Sequence, residues 1–389
     1  MADSQPDLLQ RGFEQGPIRP PSEAYSLLVR VTRNCPWNKC RFCPVYKGEK
    51  FSRREPEEVI LDIDAMRAWY DELKARSWRL GLGGRLDPPA LQLIYQQDPH
   101  NPYLYSLILF QLGGGKTAFL QDADSVIIRT EKLVKILRHL RQRFPSIERI
   151  TSYSRTRTIA RKPLEELKAI RQAGLDRLHL GLESGSDRVL EWMQKGATQK
   201  EEIEAGQKAK EAGFELSEYV MPGLGGKKLS EEHALETARA INQINPDFIR
   251  LRSLGIPPTA PLYQMYKSGE FQPLNDIEVV QEIKLLIENL EGITSYLVSD
   301  HILNLLGELE GKFPEDKSKL LKICERFLSL SEKDQLIFII GRRSGMMETL
   351  DDLINPERRA KSEMVINRLG LKTPEQAQEL VQKIVEKFI

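Results

Sequence analysis

The sequence predicts an α/β fold: a partial (β/α)6 TIM-like barrel with an α-helical C-terminal region. Three observations carry that expectation. Strand and helix patterns alternate through six or seven strands over about 275 residues, which implies a parallel sheet. The first strand runs into cysteines, where a doubly wound sheet would place a phosphate fingerprint. Beyond residue 300 the pattern is helical almost throughout. The expected organisation is an extended N-terminal arm over 1–22, the barrel over 23–301 and the helical region over 302–389.

The arm is rich in Pro, Gln and Asp. Residues 25–32 read as a buried strand. A helix is expected from Pro56 to about 78, with Pro at its start and Val59, Ile60, Ile63, Met66 and Trp69 near helical spacing. Residues 79–118 hold two glycine groups and a Pro pair, and read as an irregular insertion and candidate lid. Strands are then expected at 117–120, 149–153, 177–182, 215–221, 247–254 and 294–298. Helices alternate with them at 131–144, 163–173, after Ser186, from Thr198 to Gly213, at 230–244 and at 275–290. Thr198 with Glu201, and Asn275 with Glu278, have the spacing of capping boxes.

Hydrophobic residues are 40% and charged residues 29% of the 389, which excludes a disordered, collagenous or fibrous chain. No run reaches the roughly 18 apolar residues of a membrane helix. Residues 1–21 lack an apolar core, so no secretory signal and a cytoplasmic location are expected. Lys plus Arg is 57 against 56 for Asp plus Glu, a net charge of +1, with no strong nucleic-acid signal.

Three of the four cysteines, Cys35, Cys40 and Cys43, fall within nine residues, and Cys324 stands apart. Clustering of this kind points to a metal or redox site in a reducing compartment, not a disulfide scaffold. Three soft thiolates on one loop suit three irons of a [4Fe–4S] cluster and leave the fourth iron open. Structural zinc is the alternative, but it wants four ligands, and no His lies within 50 residues of Cys35. A non-catalytic iron–sulfur electron carrier is a further alternative, and it too wants four protein ligands.

The loop Asn34-Cys35-Pro36-Trp37-Asn38-Lys39-Cys40-Arg41-Phe42-Cys43 resembles the cluster loop of the radical S-adenosylmethionine (SAM) superfamily. That pattern is Cys-x3-Cys-x2-Cys; here the first gap is one residue longer. Phe42 keeps the aromatic that precedes the last cysteine. The segment from Gly174 through Glu183-Ser184-Gly185-Ser186 is similar to the fourth-strand segment of the branch holding the Elongator catalytic subunit and oxygen-independent coproporphyrinogen oxidase. Met221-Pro222-Gly223 resembles the turn after that branch's fifth strand. The resemblance implies a [4Fe–4S] cluster on the three cysteines, SAM contacts by Glu183 and Ser184, and Asp122 and Asp124 in place of the usual Gly-Gly-Glu. It also implies reductive cleavage of SAM to a 5′-deoxyadenosyl radical that abstracts hydrogen from substrate. The electron would come from a flavodoxin or ferredoxin-type donor. With no second cysteine group for an auxiliary cluster, methylthiotransferase-like and SPASM-type members are disfavoured.

Ser152 and Arg155, after the third strand, are candidates for the SAM carboxylate, with an ordinary salt bridge as the alternative. Arg250 and Arg252 lie two apart on one strand, hence on one face. With His301 at the next strand end, they suggest a polar or anionic small-molecule substrate. A helix cap formed by Ser299 or Asp300 is the plain reading of that strand end. His179 reads as a core residue, Cys324 as a buried thiol and 341–345 as a solvated basic turn. An RNA-modifying enzyme is the second functional reading, opposed by the neutral charge.

Overall fold

Short, largely buried runs form most of the expected strands. The structure is a computed structural model and describes residues 8–385. The expected arm and C-terminal region extend past it, with 1–7 and 386–389 outside the described residues. The chain forms two compact units. The first holds residues up to 36, 49–179 and 211–215; the second holds 37–48, 180–210 and 216 onward.

In the first unit β1 (Leu27–Arg30), β4 (Thr117–Gln121) and β5 (Arg149–Ser154) pair in parallel, with Leu28 opposite Phe119 and Phe119 opposite Thr151. A small antiparallel ribbon, β2 (Thr32–Arg33) with β3 (Ser52–Arg53), closes the base of the cysteine segment. Helix Pro56–Arg79 starts where expected and buries Val59, Ile63, Met66, Trp69 and Leu73 along one stripe.

The segment expected to be irregular is mostly helical: Pro88–Gln97 and Pro102–Leu112. Asp87 and Asn101 cap them, accepting from the peptide nitrogens of Ala90 and Leu104. A capping side chain followed by Pro at the first helical position is a helix start. The arm is tied down: Arg11 meets Asp62 at 2.8 Å, Glu14 meets Arg33 at 2.6 Å, and the Gly16 peptide donates to Gln121 at 2.9 Å.

β6 (Arg177–Glu183) begins in the first unit and ends in the second. In the second unit β7 (Glu215–Val220), β8 (Phe248–Leu251) and β9 (Tyr296–Val298) pair in parallel. A two-residue strand, β10 (Gly311–Lys312), adds antiparallel to β9. Both expected capping boxes form, Thr198 with Glu201 and Asn275 with Glu278. Helix Gly226–Ile244 follows β7, and Asp276–Asn289 packs beside it. The C-terminal region is helical as expected, with Lys317–Leu328, Glu332–Arg343, Pro356–Leu369 and Pro374–Val385. The α/β class, the mostly parallel pairing and the helical C-terminal region agree with the sequence. Among the described residues no helix is long and apolar enough to cross a membrane.

Candidate active site

The strand ends of the first unit carry carboxylates that other side chains already hold. Asp122, directly after β4, is fully buried. Its Oδ2 accepts from Arg30 Nε at 2.9 Å, from the second Arg30 nitrogen and from the Asn34 peptide at 2.9 Å. Burial raises its pKa, opposed by the bonds from Asn34 and Arg30. Asp122 therefore fixes the backbone one residue before Cys35; only its Oδ1 lacks a partner.

Asp124 is also fully buried. It accepts from Ser154 Oγ at 2.8 Å and Thr158 Oγ1 at 2.5 Å. It sits at the N-cap of a short 3-10 turn without making the capping bond. Ser152 lies opposite Leu120 and donates to its neighbour's carbonyl, Tyr153 O, at 2.8 Å. Arg155 opens helix Thr156–Arg161, with its charge beside Asp124. Asp122, Asp124 and Ser152 thus serve internal bonds.

Burial pushes the Asp124 pKa up to about 6, against the Thr158 and Ser154 bonds. The folded chain then holds this proton more tightly than the unfolded chain, whose carboxyl keeps a value near 3.8. Stability from this group is greatest below the unfolded value and falls as pH rises toward 6, by at most about 3 kcal/mol. Asp124→Asn is expected to flatten the pH 4–6 limb of urea-unfolding free energy. An unchanged slope would show that Asp124 titrates alike in both states.

In the second unit the part of the cysteine segment from Trp37 onward is anchored at several points. Trp37 Nε1 donates to Gln194 O at 2.7 Å, Arg41 N to Met193 O at 2.9 Å, and Leu262 N to Arg41 O at 2.8 Å. Asn38 takes a left-handed φ of 50°, which Asn tolerates, and its side chain bonds Tyr46 O. Phe42 is buried among Val189, Met193, Leu224 and Leu262, with Cys40 and Cys43 packed against that cluster. Phe42 is therefore an anchor for the loop. All three cysteines are partly exposed and free of disulfides. Among the described residues no three His, Cys, Asp or Glu side chains gather as ready metal ligands.

Glu183, the last residue of β6, has φ 61°, a conformation that costs a non-glycine residue on the order of 1 kcal/mol. Ser184 N bonds Leu182 O at 2.7 Å around it, so the strand ends in a positive-φ γ-turn. The Glu183 carboxylate meets Lys195 Nζ at 3.3 Å, both side chains mostly covered. Ser184 is fully buried and pairs with His233 Nδ1 at 2.8 Å. Lys195 and His233 were not legible as site residues, because neither lies in a motif and each meets its partner only through the fold.

Arg250 is committed to Asp300. The Arg252 guanidinium stacks on the Tyr219 ring at 4.7 Å. His301 has its pKa lowered to about 4, by burial first and then by Arg252 and Arg343. It is neutral near pH 7, so it offers a lone pair and one N–H, not an acidic proton. The Ser299 hydroxyl donates to Leu306 O, a turn bond in place of the expected helix cap. Arg343 is buried against Asp276 and Leu303 O, not in the solvated turn the sequence suggested. His179 is a core residue, 5.7 Å from the Tyr153 ring. The buried Cys324 thiol has its pKa pushed up to about 12 by burial.

Residues 104–240 match the family described as the Radical SAM superfamily; the match does not reach the cysteine loop. The tRNA uridine(34) acetyltransferase of Methanocaldococcus jannaschii is 23% identical over 292 residues, covering 69% of this chain and 49% of that protein. The heme chaperone HemW of Bacillus subtilis is 23% identical over 189 residues, covering 48% of this chain and 49% of that protein. The chain thus spans about half the length of these curated relatives. Among solved structures, the cobalamin-dependent S-adenosylmethionine radical enzyme OxsB is 13% identical, with a TM-score of 0.45 over 92% of this chain and 52% of that chain. Over residues 104–240 the chain is thus similar to the radical SAM superfamily, whose enzymes use a [4Fe–4S] cluster and S-adenosylmethionine.

Proposed function

We propose that this protein cleaves SAM reductively and directs the resulting radical at a polar or anionic substrate. The observation that supports the reading is the set of three partly exposed cysteines, none in a disulfide, on one anchored loop, in a chain whose residues 104–240 match the Radical SAM superfamily. Soft thiolates at Cys35, Cys40 and Cys43 suit three irons and leave the fourth open to SAM. When bound, the cluster supplies the electron that splits SAM into methionine and a 5′-deoxyadenosyl radical. A flavodoxin or ferredoxin-type donor in the cytoplasm provides that electron.

The chain's own groups bind and orient. Glu183 accepts a hydrogen bond from SAM, with Ser184 holding the turn beneath it. Arg252 and neutral His301 face the substrate, where a planar guanidinium suits carboxylate or phosphate. Asp122, Asp124, Ser152 and Arg155 support the strand ends. Anaerobically reconstituted protein given dithionite is expected to release 5′-deoxyadenosine from SAM. Iron-loaded protein that leaves SAM intact under those conditions would overturn the reading.

The resemblance to a tRNA uridine(34) acetyltransferase favours a second reading, tRNA modification. The net charge of +1 works against it, since phosphate contacts need local basic groups. Salt-dependent retention of tRNA would favour this second reading over a small metabolite.

A further inference from the structure

We propose that His233 is a positioning residue for Glu183, acting through Ser184. The inference rests on the reading that Glu183 contacts SAM.

His233 lies on helix Gly226–Ile244 and is 1% exposed. Its Nε2 faces Met221 O at 3.0 Å, and a carbonyl only accepts, so Nε2 carries the hydrogen. Nδ1 is then the acceptor and takes the hydroxyl hydrogen of Ser184 at 2.8 Å. One imidazole thus bridges the turn after β6 and the turn after β7. The same helix adds two more ties: Gly185 N donates to Thr237 Oγ1 at 2.9 Å, and Ser186 Oγ to Glu232 at 2.6 Å. The second turn is held further by Glu282, which accepts from Gly223 N at 2.6 Å and lies 3.7 Å from His233 Nε2.

These ties surround a strained residue. Glu183 is kept at φ 61° although an extended backbone would cost less. Met221 N donates to Glu183 O at 3.0 Å, so the turn His233 grips also holds the Glu183 carbonyl. The cavity beside His233, Thr237 and Glu282 is about 10 Å³, room for no more than about one water. His233 therefore has no space to touch SAM or substrate. Its influence on them passes through the backbone of 183–186.

The test uses the full chain with its cluster reconstituted and no reductant present, so that SAM binding alone is read. Glu183→Ala is expected to weaken SAM affinity roughly tenfold. His233→Gln keeps a donor toward Met221 O and loses the acceptor for Ser184, and is expected to weaken SAM nearly as much. His233→Asn keeps that acceptor and should bind SAM within about twofold of the parent. The double variant Glu183→Ala/His233→Gln should bind no worse than Glu183→Ala alone. A purely structural histidine would lower the thermal midpoint in both His233 variants and leave SAM affinity unmoved, which overturns the proposal. Should His233→Gln not accumulate folded, Ser184→Ala carries the test, with the same loss expected and unchanged affinity overturning it. An unchanged affinity in Glu183→Ala is a different failure: it removes the SAM contact itself, and the positioning role with it.

Discussion

Protein purified without oxygen after Cys35, Cys40 and Cys43 are all changed to Ala is expected to contain no iron and no acid-labile sulfide. The parent is expected to hold about four of each per chain. The loss should be complete because three thiolates are the whole soft-donor supply of this loop. The fold should survive, because the loop is anchored by other groups. Phe42 packs in the apolar cluster, Trp37 bonds Gln194 O, and Arg41 bonds Met193 O. Cys324→Ala is the control. That thiol is buried on helix Lys317–Leu328, and its pKa is pushed up to about 12, so it supplies no thiolate near neutral pH. Zinc at one per chain, without sulfide, would turn the site into a structural metal centre and end the radical reading.

Much of the fold was legible because its signals are local. The Thr198–Glu201 and Asn275–Glu278 boxes lie within four residues of chain, and both formed. The helices at Pro88 and Pro102 were equally local, but the Pro and Gly around them read as loop punctuation. Asp87-Pro88 and Asn101-Pro102 are helix starts, a capping acceptor followed by a ring that presets φ. β10 escaped because two residues have no period to detect.

The candidate site was legible only where a motif named it. Asp122 and Asp124 stood at the expected strand end, but their work is set by Arg30 and Asn34 in one case and by Ser154 and Thr158 in the other. Those partners are 30 to 92 positions away in sequence. Glu218 makes the same point in reverse. A strand glutamate reads as a surface residue, yet it is fully buried. Burial, then repulsion from Glu202, holds its pKa far above the ordinary range. Sequence alone does not announce a carboxyl group buried this deeply inside the second unit.

Gly185→Ala is expected to be the most destabilising single change at the site, costing about 3 kcal/mol or more of unfolding free energy. Backbone conformation is not the cause, because Gly185 has no positive φ. The obstacle is space. A Cβ there would lie 2.2 Å from Glu236 O, 2.5 Å from its carbonyl carbon and 2.7 Å from Thr237 Cα. All three atoms are helix backbone, so relief requires helix Gly226–Ile244 to move away from the turn. That movement would also stretch the Gly185–Thr237 and Ser184–His233 bonds. Gly181→Ala gives the contrast. Its Cβ would approach Glu183 Oε1 at 2.3 Å and Lys195 Nζ at 2.9 Å, the far ends of flexible side chains that can swing aside. Its stability cost should be under about 1 kcal/mol, while the Glu183–Lys195 pair is displaced. Urea melts of the two variants separate these effects: a large loss in Gly185→Ala and a small one in Gly181→Ala. Equal midpoints for Gly185→Ala and the parent would mean that the turn after β6 and the helix do not pack as closely as 2.2 Å implies.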